Sequence, residues 1–549
     1  MFVPNSNQCS LFDITFALNP KKLKDLKESW AGAFREEIMP ILIDAEQEFA
    51  SLYSPDRGAP IKYVSIIMGL LILKEMNDLT DKQLLERYKF DILFHYALGV
   101  TFDEALLAER TVFYFRKRLT ENEMAQDAFT SIVDRIIERW DIKTRKHRLD
   151  STVIMSNMKN LNRLELFIRT IESFLKDLRK NKKASYKALG RSLKERYMDR
   201  EGYFAYPKPS EAKRKLEQCA ADVCFLVNRF RGSGKVQILE TYQKLERLMN
   251  EQIEVSEGEN GRIIAWYREP EKKDDDSGGT TLKPNESISG EVLQNPSDPD
   301  ATYSGHKGTG YKVHASETCD EENPFQVIDY ASVDKANASD QKATEQIHEE
   351  LNKRGHAPET TYADAGYTSG ENMANSKDAD IDLKGPVPGR GTSKEKVLDQ
   401  FRFDEEYKQV ESCPGGHKPV EQSCHDETLE AKFDEKKCAS CPFNKECPVN
   451  KQGAFRVLKI KRDKAAIIRR RQEQETKEFK EEYKIRSGIE ATFSHLKNDR
   501  GMRRLRVRGS PSVTLTVIFK IMGENVSRAL KYVQETMKKP LKEEKPAHA

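Results

Sequence analysis

The order in which short strands and helices follow one another constrains this chain more than any other feature. Runs rich in β-branched and aromatic residues occur at 148–156, 310–317, 325–333, 360–363 and 381–386. Helical spacing fills 339–354 and resumes over about 463–499 and 512–536. One strand, two adjacent strands, a helix, a strand and late helices outline a mixed α/β core. Two stretches interrupt it. In 161–255 apolar residues recur at three and four, as in Leu164, Ile168, Ile171, Leu175 and Leu178 and in Ile238, Tyr242, Leu245 and Met249, which predicts packed helical hairpins. In 387–455 the alternation gives way to clustered cysteines, and 269–300, rich in Asp, Gly, Pro and Ser, reads as a linker.

Ahead of this core, 62–119 is helical. Ile66, Ile67, Leu70, Leu71 and Leu73 fit a buried helix, Thr80 is placed to cap a helix over 81–88, and a helix over 91–98 stops at Gly99. A further helix over 111–119 carries Arg116, Lys117 and Arg118. Short helices with a basic last member suit either an ordinary helical domain or a helix-turn-helix-like DNA-binding module. Net charge is only +3, from 92 Lys+Arg against 89 Asp+Glu, so an acidic partner must be met by a local patch. No apolar run reaches the about 18 residues of a membrane helix, and the first residues lack a signal pattern. The expectation is a cytoplasmic protein with no membrane partner, its nine cysteines reduced or bound to metal.

Tyr483, Arg486, Glu490 and Lys497 are spaced by three, four and seven. At about 100° per residue they share an arc of roughly 60° on one helix face. Ile489, Phe493 and Leu496 form the neighbouring apolar stripe, so the stripe packs on a sheet while the quartet faces a groove. Residues 497–509 hold six basic side chains against one acid, among them Arg503, Arg504, Arg506 and Arg508, and 456–471 holds eight against one. Such densities suit a phosphate backbone. A solvated helix laced with i,i+4 ion pairs is the plain alternative.

The Tyr-x2-Arg-x3-Glu-x6-Lys spacing resembles the signature helix of bacterial insertion-sequence transposases of the DDE type. Other blocks agree in order: Leu-Asp-Ser-Thr at 149–152, Asp-Pro-Asp-Ala at 298–301, Gly-Tyr-Lys-Val-His at 310–314, Ala-Asn-Ala-Ser-Asp at 336–340 and Tyr-Ala-Asp-Ala-Gly-Tyr-Thr-Ser at 362–369. The 62–119 region resembles the helical N-terminal domain of these enzymes, and Cys-x2-Cys-Pro-x4-Cys resembles the Cys-rich insertion of one branch. The resemblance spans about 55–535. It implies a ribonuclease-H-like (retroviral-integrase-like) α/β core, split by a helical and a Cys-rich insertion, behind an N-terminal all-α domain. It also implies a catalytic triad of Asp150, Asp364 and Glu490 holding Mg²⁺ or Mn²⁺, with Tyr483 and Arg486 on DNA near the cut and Lys497 on a backbone phosphate. Two divalent cations held by carboxylates suit phosphodiester transfer, because one activates the attacking oxygen and the other stabilises the leaving one. Lys312, His314, Asp334 and Asp340 are candidates for a supporting role, against a reading as ordinary strand-edge and helix-cap residues.

The expected organisation is an N-terminal helical DNA-binding domain over 1–145, core segments over 146–160 and 301–390, a helical insertion over 161–268 and a linker over 269–300. A Cys-rich zinc insertion follows over 391–460, then the signature and C-terminal helices over 461–537 and a disordered tail over 538–549. The preferred structural Zn²⁺ ligands are Cys413, Cys438, Cys441 and Cys447, with Cys424, His417 and His425 competing. Four thiolates would fold an insert too small to build its own core. The expected activity is DNA transposition: binding inverted-repeat ends of double-stranded DNA, cleavage, and joining of 3′-hydroxyls to target DNA, by a nucleoid-associated homodimer. A nuclease of the same fold and a non-catalytic DNA-binding descendant are the alternatives.

Overall fold

In the computed structural model, which describes residues 1–5, 14–54, 61, 63–199, 203–204, 211–257, 263–267, 289–305, 307–387 and 393–538, one strand organises the rest. Strands β1 (Lys146–Ile154), β2 (Thr302–Ser304), β3 (Gly308–Thr318), β4 (Ile328–Lys335), β5 (Thr360–Ala363) and β6 (Asp382–Lys384) form a six-stranded mixed sheet. Its order is β4–β3–β1–β5–β6, with β2 sharing the outer edge of β3. β3 is antiparallel to β1 and β4, whereas β5 runs parallel to β1 and β6 parallel to β5. The strand predicted at 325–333 begins three residues later, because Thr318 N donates to Val327 O and closes the β3–β4 turn.

Four helices position the site: α1 (Val64–Met76), α2 (Asp340–Lys353), α3 (Ser487–Asn498) and α4 (Ser510–Lys538). α1 is apolar around its circumference and buried from Val64 to Glu75. It packs on α4, which also contacts the helix Ala125–Arg139 and β4. The apolar core is therefore continuous from Leu70 of α1 through Val313 of β3 to Phe493 of α3 and Ile518 of α4. The expected punctuation is present. Thr80 and Gln83 form a capping box on Asp81–Phe90, and Gly99 ends Ile92–Leu98 at a left-handed φ of 65°. Two of the three bases of the helix Glu109–Glu121 are used internally, Arg116 pairing with Asp81 and Arg118 lying over the Tyr53 ring.

Several expectations are corrected. The segment 161–268 does pack long helices, among them Arg163–Asn181, Ala212–Phe230 and Glu240–Gln252, around Phe167, Phe174 and Leu245, but it ends in a hairpin of Ile253–Glu257 and Ile263–Tyr267. Residues 289–300 are packed rather than a linker: buried Asp298 accepts from the Tyr311 hydroxyl (2.7 Å), and Asp300 accepts from Ser510 N (2.9 Å) at the start of α4. The rest of that span and the tail from 539 lie outside the described residues. The Cys-rich segment is not coreless. It builds a four-stranded sheet of Glu421–His425, Thr428–Asp434, Phe455–Lys461 and Asn450–Gln452. Its Leu429, Phe433 and Leu458 join one core with Leu149, Ala363 and Tyr367. Arg462 and Arg471 of the basic run are buried and paired with Asp378 and Asp399, so part of that run serves the fold.

The helix expected over 463–499 is broken. Arg462–Glu473 ends, Thr476 caps Lys477–Glu482 by accepting from Phe479 N, and a 3₁₀ turn at Tyr483–Arg486 leads into α3. A 3₁₀ turn advances about 120° per residue, so the one-face projection of Tyr483 and Arg486 with Glu490 does not hold through it.

One buried carboxylate joins four elements. Glu317 of β3 is fully buried and accepts from Arg148 Nε of β1 (2.5 Å), Arg528 Nη1 of α4 (2.5 Å) and Thr492 Oγ1 of α3 (2.7 Å). Arg148 passes so close under α3 that a Cβ on Gly488 would stand 1.7 Å from its Nη1. Removing one partner of a buried ion pair typically costs about 3–5 kcal/mol. Glu317→Ala is thus expected to lower the urea midpoint by a corresponding amount at unchanged transition slope, and a midpoint equal to the native one would contradict it.

Candidate active site

β1 and β5 are parallel neighbours with Leu149 paired to Ala363, and the next residue of each chain segment is an aspartate. Asp150 Oδ1 accepts from Ser151 N (2.7 Å), and its Oδ2 faces Arg486 Nη1 at 3.4 Å. Burial raises the Asp150 pKa and the charge of Asp364 adds to this, while Ser151 N, Arg486 and Lys307 oppose it. Asp364 Oδ1 accepts from Gly366 N (2.8 Å). A Cβ on Gly366 would lie 3.0 Å from that oxygen and 3.2 Å from Asp340 Oδ2, so both acids close on this glycine. Glu490, in the first turn of α3, accepts from Arg486 Nη2 (2.6 Å) with its side chain 58% exposed. Arg486 therefore bridges Asp150 and Glu490. Among the described residues no group of three or more His, Cys, Asp or Glu side chains is placed so that it could hold a metal ion. At this site the guanidinium stands between two of the acids.

The remaining residues of the signature divide into two groups. Tyr483 donates its hydroxyl to Ala363 O (2.9 Å), beside Asp364, and stacks on Phe479 at 5.6 Å between centroids. Burial pushes its phenol up to about 12. Arg504 donates to Met158 O (2.7 Å), Arg506 pairs with Asp78 (2.7 Å), and Arg508 donates to Asn157 O (2.5 Å). These three guanidinia hold the segment after α3 against the end of β1 and the turn after α1. Lys497 is different: half-buried, its ammonium makes no hydrogen bond or ion pair among the described residues. Burial lowers its pKa, and the nearby charges of Arg503 and Lys307 lower it further. Arg503 donates to Asn498 Oδ1 (2.7 Å).

Lys307 escaped the sequence reading. It is exposed, its Nζ lies 3.4 Å from Ser151 O, and it acts on both Asp150 and Lys497. Its only signal is its place before Gly308-Thr309-Gly310, which opens β3. Behind the aspartates, Lys312 Nζ donates to Asp340 Oδ1 (3.0 Å), and His314 is buried with its Nε2 at 3.9 Å from Asp334 Oδ2.

In the second cluster Cys413, Cys438, Cys441, Cys447 and His417 line one cavity of about 20 Å³. Cys424 and His425, on the strand Glu421–His425, do not line it. Burial raises the Cys438 pKa, and Cys413 and Cys441 add to it. Burial likewise pushes Cys447 up to about 11, with the same neighbouring thiols contributing.

Two family models match this chain: Transposase DDE domain over residues 412–530, and Transposase domain (DUF772) over residues 24–118. Both matches support an insertion-sequence DDE transposase. No curated protein and no solved structure matches it. The DDE match spans the four cavity cysteines and Glu490, while Asp150 and Asp364 precede it. A DDE domain implies a ribonuclease-H-like fold, with which the mixed sheet agrees, and a DNA substrate. No helix among the described residues is long and apolar enough to cross a membrane.

The raised pKa of Asp150 has a stability consequence of definite sign. Its folded value lies above its unfolded one, so the ionised carboxylate opposes folding at neutral pH, and this penalty disappears once pH falls below both values. Asp150→Asn is expected to raise the melting temperature at pH about 7, with the gain shrinking as pH falls through the folded pKa. Thermal unfolding followed at neutral and acidic pH checks this; a variant less stable than the native chain at neutral pH would refute it.

Proposed function

We propose that this transposase binds the inverted-repeat ends of its own element, cleaves them by metal-dependent phosphodiester hydrolysis and joins the freed 3′-hydroxyls to target DNA. The observation that carries the reading is the β1–β5 register, which brings Asp150 beside Asp364, together with Arg486, which reaches from Asp150 to Glu490. These three carboxylates are hard oxygen donors suited to Mg²⁺ or Mn²⁺. Bound there, divalent cations supply activation of the attacking oxygen and stabilisation of the leaving one. The chain's own residues do the rest. Arg486, released from its carboxylates, is free to fork onto a DNA phosphate, and Lys497 and Arg503 meet the neighbouring backbone. Tyr483 holds the Asp364 loop through Ala363 O. Two DNA ends require two active sites, so the working form is a homodimer at the nucleoid.

The cysteine cavity is read as a structural Zn²⁺ site of Cys413, Cys438, Cys441 and Cys447. Supporting this, these thiols and His417 face one space of about 20 Å³, in a segment whose sheet lies against the core. The role is structural because four thiolates leave no open position.

Cleavage and strand transfer are assayed on DNA flanking the gene, with Mg²⁺ or Mn²⁺, for the native chain and Glu490→Gln. Metal-dependent cutting and joined products, both lost in the variant while DNA binding persists, are expected. Cutting without joining would make the protein a nuclease, and specific binding with neither would make it a non-catalytic DNA-binding protein. For the cysteines, metal analysis of the purified chain is expected to find one zinc per chain, lost in Cys438→Ser and Cys441→Ser. Metal-free native protein that melts at the same temperature with and without zinc would remove the zinc site.

A further inference from the structure

The loop after Asp364 is tied behind the sheet, by a buried hydrogen bond, to the strand that pairs with that of Asp150. Tyr367, three residues after Asp364, is fully buried, and its hydroxyl lies 2.8 Å from His314 Nδ1 of β3. His314 stands opposite Ser151, the residue after Asp150, in the β3–β1 register, and its Nδ1 lies 3.8 Å from Asp340 Oδ1. Ser151 Oγ donates to Asp340 Oδ1 (3.0 Å), which also accepts from Lys312 Nζ (3.0 Å). These contacts link β1, β3, the start of α2 and the loop after β5.

The hydroxyl is separable from the loop's other anchors. Tyr367 N donates to Asp364 O (3.1 Å), and Tyr367 O accepts from Asn372 Nδ2 (2.7 Å), so the backbone is held without it. The Tyr367 ring fills the core with Leu149, Ala363 and Leu383, a function phenylalanine can take over. What only the hydroxyl does is tie the loop of Asp364 to His314, the cross-strand partner of Ser151. Groups that orient metal-binding carboxylates and imidazoles in this way typically change affinity or activity by about 10- to 100-fold when removed.

We propose that Tyr367 is a positioning residue whose hydroxyl, through His314 beside the Ser151–Asp340 pair, fixes the separation of Asp150 and Asp364 and so tunes their hold on a divalent cation. This rests on the reading of those aspartates as the cation site. The test is Mn²⁺ titration of the full chain by calorimetry, alongside urea unfolding, for the native protein, Tyr367→Phe, Ser151→Ala and Asp364→Asn. The expected result is an Mn²⁺ affinity about 10- to 100-fold weaker in Tyr367→Phe, a loss in the same direction in Ser151→Ala, and a cooperative transition kept in both. Native affinity in Tyr367→Phe and Ser151→Ala, with binding lost in Asp364→Asn, would overturn the proposal and leave the cation site standing. Loss of the cooperative transition together with affinity would also overturn it, since the hydroxyl would then serve the fold alone. Native affinity in Asp364→Asn would remove the cation site itself, and the role of Tyr367 with it.

Discussion

The parallel pairing of β1 with β5 is the constraint on which the rest of the structure depends. Leu149 against Ala363 leaves Asp150 and Asp364 as successors on adjacent strands. A slip of one residue would turn one aspartate to the opposite face of the sheet, because side chains alternate along a strand. Leu149 and Ala363 are both fully buried in the same apolar cluster, so such a slip would also carry them out of the core. Hydrophobic burial thereby holds two negative charges near each other, against their mutual repulsion and against their loss of hydration.

Opposing charge makes that arrangement tolerable. Arg486 answers Asp150 and Glu490, and Arg148 with Arg528 answers Glu317 directly behind the sheet. The two groups differ in kind. Glu317 is sealed, with Arg148, Arg528 and Thr492 all committed to it, which suits a joint between strands and helices. Glu490 is largely exposed and its arginine is shared, which suits a site that exchanges one cation for another when DNA arrives.

The basic side chains that crowd the end of the chain are likewise sorted by burial. Arg462 and Arg471 are inside the protein, and Arg504, Arg506 and Arg508 grip backbone carbonyls or Asp78. Lys497 and Lys307 keep their charge near Asp150 instead, with Arg503 beside Lys497. Three cations facing so few acids form a local field of the sign a phosphate requires, although the whole molecule is close to neutral.

By itself the sequence determined the elements and their punctuation. The strand at 360–363, the Thr80 cap, the Gly99 stop and the strand–helix order follow from local chemistry: side-chain branching, backbone hydrogen-bond satisfaction and apolar period. The candidate acids were legible because their motifs are contiguous. Tertiary structure alone decided which distant groups meet. That Tyr483 would spend its hydroxyl on Ala363 O, that Lys307 would approach Ser151, and that Cys424 would stand apart from the other four clustered cysteines depend on strand pairing and on the break at 474–476. The break itself was hidden, because a threonine that caps one helix looks, in a charged sequence, like one more residue of a longer one. The packing of the Cys-rich sheet into the main core was hidden for a similar reason: the alternation of Leu429, Ala431 and Phe433 marks a strand with one apolar face but carries no information about what that face will cover.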